Sequence, residues 1–189
     1  HGRSAGVVGT GRIGSRVAEL LLGMGLDVLA HDPTPSPALF ARGVRDAPVV
    51  ALVASADFLS LHCPLIPATR HLVDDRRIRL MRPGVMIVNT SRGGLVDTRA
   101  VIDGLKSGRI GHLGIDVYEE EQNLFFQDRC DDVIRDDVFM RLLTFPNVVV
   151  TAHQAFFTRE AMEQISSCTG NSILDFSSGR PLEVAVVSR

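Results

Sequence analysis

Three side chains in this 189-residue chain have the types that 2-keto acid chemistry requires: Arg92, His153 and a carboxylate, Glu121. Arginine offers a planar, bidentate fork that can grip a substrate carboxylate, a geometry that lysine lacks. Histidine is the side chain best suited to give or take a proton near neutral pH. A carboxylate beside it orients the ring and favours the protonated form. Each has a plainer reading on its own: a surface arginine, a satisfied loop histidine, one solvated member of Glu119-Glu120-Glu121. Their placement argues for more. Arg92 follows the apolar run Val85–Asn89, Glu121 follows the run that carries Asp116, and His153 follows Val148–Val150.

A second constellation lies near the amino terminus. Gly9-Thr10-Gly11-Arg12-Ile13-Gly14 fits GxGxxG between a predicted strand and a predicted helix. In that context Gly9 permits the tight turn, Gly11 lets a pyrophosphate approach the backbone, and Gly14 lets helix and strand pack closely. The helix start offers unpaired N–H groups and a positive dipole end to the phosphates. Asp32, at the next strand end, suits the ribose hydroxyls and repels a 2′-phosphate, which selects NAD over NADP. The cofactor expected is therefore NAD.

The elements that must position these residues are βα units. Ala5–Val8, Leu26–Ala30, Phe58–Leu61, Val85–Asn89, Leu113–Val117 and Val148–Val150 read as strands. Their near-continuous apolar character predicts a parallel sheet covered on both faces, an α/β doubly wound fold of Rossmann type. Helices are predicted over Ile13–Gly23, with Ile13, Val17, Leu20 and Leu21 on the apolar face, near residues 47–54, and after Asp97, whose side chain suits an N-cap. Pro33, Pro35 and Pro37 enforce a turn. Residues 118–146 read as a long acidic connection containing Leu124-Phe125-Phe126. Thr158–Phe176 reads as a helix that Gly170 threatens to interrupt. In such sheets ligands bind beyond the carboxyl ends of the strands, where Arg92, Asp116 and His153 all fall.

Composition narrows the partners. A net charge of −2 gives no electrostatic case for nucleic acid or an anionic membrane, and 45% hydrophobic residues suit a globular core. Cys63, Cys130 and Cys168 have no CxxC spacing, so neither a disulfide framework nor a metal site is expected, consistent with a reducing cytoplasm. No apolar stretch approaches a membrane span and no signal peptide is expected.

Several stretches then carry a family resemblance: Val7–Gly14, Leu61-His62-Cys63-Pro64-Leu65, Val88–Gly93, Gly114–Glu119 and Thr151–Phe156. Over nearly its whole length the chain resembles the NAD-binding part of the D-isomer-specific 2-hydroxyacid dehydrogenases. Leu124-Phe125-Phe126 and His153-Gln154-Ala155-Phe156 point to the D-lactate branch of that family. The resemblance implies a hydride transfer between NAD(H) and a small D-2-hydroxy acid or 2-keto acid, with D-lactate and pyruvate as the pair. Arg92 would bind the substrate carboxylate and carbonyl, His153 would be the acid/base, and Glu121, rather than Glu119 or Glu120, would pair with it. Asp116 would contact the nicotinamide carboxamide, and Arg12 and Ile13 the pyrophosphate. Cys63 and Pro64 would line the adenine side with Thr69 nearby, Thr90 and Ser91 would face the nicotinamide side, and Phe156 would be a pocket wall. His31 and His62 would be structural.

The resemblance also implies two parts, residues 1–153 as the NAD-binding domain and residues 154–189 as a helix and tail that pack on a substrate domain. That substrate domain is expected upstream of His1 and is absent from the sequence. A homodimer through the cofactor domain is expected, as is dependence of activity on the upstream region. The alternative is an NAD-binding, non-catalytic fragment or corepressor-like interaction module.

Overall fold

The computed structural model describes residues 2–125 and 133–182; Phe126, Cys130 and the last seven residues lie outside the described residues. The chain divides into two compact units, His1–His153 and Gln154–Arg189.

The first unit is a seven-stranded, all-parallel sheet in the order β3-β2-β1-β4-β5-β6-β7. The strands are β1 (Ser4–Val8), β2 (Asp27–His31), β3 (Arg45–Asp46), β4 (Phe58–Leu61), β5 (Val85–Asn89), β6 (Ile110–Ile115) and β7 (Val148–Val150). Between them run α1 (Arg12–Gly23), α2 (Pro37–Phe40), α3 (Val49–Ser55), α4 (Asp75–Leu80), α5 (Thr98–Lys106) and α6 (Asp137–Leu143). The chain winds outward from β1 to β3, then returns to β4 and winds the other way. The crevice at a ligand-binding switch point therefore opens between the carboxyl ends of β1 and β4.

Both faces of the sheet are buried, as the apolar strands require. Ala5 and Val7 of β1 pack with Val28, Ala30 and Ala18 on the α1 side. Val8, Leu59, Leu61 and Ile87 pack with Leu52 of α3, Ile78 of α4, and Val101, Ile102 and Leu105 of α5 in the larger cluster. Asp97 caps α5 by accepting from the Ala100 N–H at 3.1 Å, as its position predicts.

Some expectations change. The buried face of α1 is Gly14 and Ala18, flanked by the partly buried Val17 and Leu21, whereas Ile13 and Leu20 are each 68% exposed. The reason is close packing. A Cβ at Gly14 would overlap the Gly9 carbonyl oxygen, so the helix approaches β1 through its smallest residues and turns the larger ones outward. Residues 118–146 are not a structureless connection: they contain a 3-10 turn over Glu121–Asn123 and the whole of α6, whose Phe139 and Leu142 are buried. β6 begins at Ile110, three residues before the apolar run suggested. The edge strand β3 and the charge-rich α4 carry too little apolar pattern to announce themselves. Pro37 opens α2 at a position where its missing N–H costs nothing.

The second unit is dominated by α7 (Arg159–Ser177), which starts at a Thr158 cap and runs through Gly170 without interruption. No residue of α7 is buried. No helix among the described residues is long and apolar enough to cross a membrane.

Replacing Gly14 by alanine forces backbone against backbone. Urea denaturation should show a loss of about 1–3 kcal/mol or more, the range for overpacking a tight site. The same substitution at Gly23, where a Cβ meets nothing within 4 Å, should be neutral or slightly stabilising.

Candidate active site

The glycine turn is built to leave a helix start open. Gly9 has φ +91° and its N–H donates to the His31 carbonyl at 2.8 Å, tying the turn to the end of β2. A Cβ there would lie 2.6 Å from the His62 carbonyl carbon, so only glycine fits. Gly11 is the N-cap of α1 and no side chain caps this helix, whereas Asp74, Asp97, Asp136 and Thr158 cap α4 to α7. Space is open where a Cβ of Gly11 would stand. An uncapped helix amino terminus beside open space fits the pyrophosphate of a dinucleotide. Arg12 and Ile13, both exposed, stand at this opening.

Asp32 is held by the same turn. One carboxylate oxygen accepts from the Thr10 N–H at 2.7 Å and the other from the Thr34 N–H at 2.8 Å. Partial burial pushes this carboxyl up, but the Thr10 and Thr34 N–H groups outweigh it and hold it below the usual carboxylate range. The carboxylate is therefore held in its charged form against the glycine turn. Across the crevice Cys63 is buried, and burial pushes its thiol up, which makes it a poor nucleophile. Pro64 and Thr69 belong to one turn, in which the Thr69 hydroxyl donates to the Pro64 carbonyl at 2.6 Å.

At the end of β5 the backbone is set by Asn89, a residue that the sequence reading left without a role. Its amide donates to the Arg92 carbonyl at 2.9 Å and its oxygen accepts from the Ser91 N–H at 3.1 Å. The Ser91 hydroxyl donates to the Cys63 carbonyl at 2.8 Å, joining the ends of β4 and β5, and Thr90 is exposed beside it. Arg92 is exposed and donates to the Ser91 carbonyl at 2.7 Å. Gly93 follows because a Cβ would overlap the Tyr118 carbonyl: the two turns touch backbone to backbone. Arg92 and Glu121 thereby line one cleft of about 430 Å³, with Leu65, Gly94 and Tyr118.

His153 is brought to Glu121: its Nδ1 lies 3.0 Å from a Glu121 carboxylate oxygen. The other oxygen of Glu121 accepts from the Tyr118 N–H at 3.0 Å, which fixes the carboxylate. Ala152 and His153 have φ of 52° and 58°, a left-handed pair that residues with side chains rarely adopt. The pair is held by the Asp116 carbonyl, which accepts from the His153 N–H, and by the Ile115 carbonyl, which accepts from Thr151 at 3.1 Å. Buried Asp116 accepts from the Thr151 hydroxyl. Strain of this kind gathers at functional sites, where surrounding contacts hold it.

Their surroundings make Tyr118 and His62 poorer proton donors. Burial, the Asp136 hydrogen bond and nearby carboxylates push the Tyr118 phenol far up. Burial pushes His62 down, leaving a neutral ring 2.8 Å from the Ser60 hydroxyl. His31 lies 3.1 Å from the Ala47 carbonyl. Phe156 belongs to the second unit, where its ring meets Phe157 edge-on at 6.3 Å. Among the described residues no cluster of three or more His, Cys, Asp or Glu side chains could hold a metal ion.

A doubly wound parallel sheet, an open glycine turn and an aspartate held at the next strand end fit a dinucleotide-binding domain. The sequence relationships make that class specific. Residues 1–155 match the NAD binding domain of the D-isomer specific 2-hydroxyacid dehydrogenases, and the chain belongs to that family. It is 51% identical to 2-hydroxyacid dehydrogenase homolog 2 of Schizosaccharomyces pombe over 177 residues, 93% of this chain and 53% of that protein. It is 48% identical to the D-lactate dehydrogenase of Escherichia coli over 179 residues, 95% of this chain and 54% of that protein. The structure of the pyruvate reductase of Chlamydomonas reinhardtii superposes with a TM-score of 0.93 at 44% identity, covering 97% of this chain and 56% of that one. The chain thus spans about half the length of the curated relatives it matches.

The Asp32 contacts have a pH signature. The folded-state pKa lies below the unfolded value, so the stabilisation is present above about pH 4 and is lost as pH falls through the folded value. Thermal melts should therefore show a smaller acid loss in Asp32→Asn than in the parent. Part of the loss should remain, because Asp57, held low by the Ser4 N–H and Arg82, titrates in both. Identical acid limbs in the two proteins would contradict this role.

Proposed function

We propose that the protein carrying this chain is an NAD-dependent D-2-hydroxyacid dehydrogenase that interconverts pyruvate and D-lactate. The observation that carries the reading is the His153–Glu121 pair at 3.0 Å, on a turn whose cleft Arg92 also lines. When bound along the strand ends, NADH supplies the hydride. The Arg92 guanidinium holds the substrate carboxylate and polarises the carbonyl, as its planar fork allows. With Glu121 accepting from Nδ1, the ring of His153 is oriented so that Nε2 gives a proton to the developing alkoxide. Asp116, Thr90 and Ser91 stand at the nicotinamide end, Arg12 and Ile13 at the pyrophosphate, and Asp32 at the ribose. The names of the Escherichia coli and Chlamydomonas relatives support the pyruvate and D-lactate pair.

The reading includes a homodimer through the cofactor domain, supported by Leu20 and Met24, each 68% exposed at the surface of α1. It includes a reducing cytoplasmic setting, supported by the unpaired thiols of Cys63 and Cys168.

The test uses the full-length protein with pyruvate and NADH, and a stereospecific assay of the lactate formed. D-lactate should accumulate, and His153→Gln should lower kcat by about 10²–10⁴-fold while leaving NADH binding intact. L-lactate as product, or full activity in His153→Gln, would overturn the proposal.

A further inference from the structure

Of the three consecutive glutamates, Glu119 has the most contacts and no assigned role. Its side chain is only 19% exposed. One carboxylate oxygen lies 2.6 Å from His71 Nε2, and the other accepts from both the N–H and the hydroxyl of Thr98, at 3.0 and 2.8 Å. A single carboxylate therefore joins three segments distant in sequence: the turn after β6, the first residue of α5, and the loop between β4 and α4.

His71 is itself held in an unfavourable conformation, with φ 48°. Its N–H donates to the Gly94 carbonyl at 2.8 Å, Val73 donates to Leu95 at 2.9 Å, and Asp97 donates to Val73 at 2.9 Å. A short parallel bridge between Val73 and Val96 completes the attachment. The loop is thus laced along the segment that follows Arg92, and His71 reaches the carboxylate from this strained position. Strain retained at a residue with one strong side-chain contact indicates that the contact matters.

The position of this knot decides its effect. Glu119 lies two residues before Glu121, on the same turn that Gly93 touches through the Tyr118 carbonyl. The Arg92 turn and the Glu121 turn meet at that contact, and Glu119, which itself borders the cleft, ties them together through Thr98 and His71. We propose that Glu119, supported by His71, is the positioning residue of the substrate cleft, fixing the separation of Arg92 from the Glu121–His153 pair. This rests on the dehydrogenase reading for its consequence in turnover, but not for its consequence in structure. The glycine turn and Asp32 lie on other strand ends, so the pyrophosphate and ribose ends of the cofactor site should be independent of it.

The experiment has two arms. In this chain, hydrogen exchange is compared among the parent, Glu119→Ala, His71→Ala and Glu119→Gln. Glu119→Ala should speed exchange in segments 92–98 and 117–122 and leave 9–32 unchanged, with His71→Ala giving the same pattern more weakly. Glu119→Gln should resemble the parent, because its amide oxygen still accepts from Thr98 and its NH2 can donate to a neutral His71 ring. In the full-length protein, Glu119→Ala should raise KM for pyruvate about tenfold or more, as displaced binding groups do, and change NADH affinity less than that. Glu119→Gln should restore most of it. Exchange that rises throughout the domain, or nowhere, would overturn the proposal, as would unchanged pyruvate kinetics in Glu119→Ala with loosened turns. If the parent protein does not reduce pyruvate yet the local exchange pattern is found, the dehydrogenase reading falls and the positioning role of Glu119 stands.

Discussion

Helix α1 reaches the end of β1 only because position 14 carries no side chain to strike the Gly9 carbonyl. From this contact much else follows. It aims the uncapped start of α1 at the crevice between β1 and β4, and it makes Gly14 and Ala18 the buried face. It also sets Thr10 where the Asp32 carboxylate can grip its N–H. The cofactor end of the site is thus organised by backbone geometry and one carboxylate. Such pre-organisation spares a bound dinucleotide the entropy of ordering the turn.

The proposed substrate end is made differently. Its side chains come from three strand ends, and polar contacts between neighbouring turns set their positions. Asn89 shapes the turn that carries Arg92, Gly93 brings that turn against Tyr118, and the Tyr118 N–H fixes Glu121 for His153. The left-handed backbone at Ala152 and His153 is held by carbonyls at the end of β6. Here the end of β7 supplies His153, and the end of β6 supplies both its carboxylate partner and the carbonyls that hold its backbone. Parallel register makes this possible, because it places every carboxyl end on one edge of the sheet.

Much of this was legible in the sequence, for physical reasons that also mark its limits. The buried strands read clearly because parallel strands covered on both faces are continuously apolar, and the glycine turn reads because its φ and close approaches admit nothing else. Glu121 could be told from its two neighbours only by family resemblance; the structure separates them by their partners, His153 for Glu121 and Thr98 with His71 for Glu119. The α1 face was misjudged because hydrophobicity alone ranks Ile13 and Leu20 above Gly14 and Ala18, whereas close packing favours the small residues. α6 was hidden in an acidic stretch, since only Phe139 and Leu142 of its seven residues are buried. Asn89 left a usable signal, a polar residue closing an apolar strand. The Glu119 network left none, because its partners lie 21 and 48 residues away.

An amide chemical-shift titration of the chain with NADH tests most directly whether NAD binds along the carboxyl ends of β1, β2, β4, β5 and β6. The largest shifts are expected at residues 9–14, 32–34, 62–64, 90–92 and 116, with α4 and α7 unmoved. Saturating NADH that shifts none of these amides, or that shifts the opposite edge of the sheet instead, would contradict it.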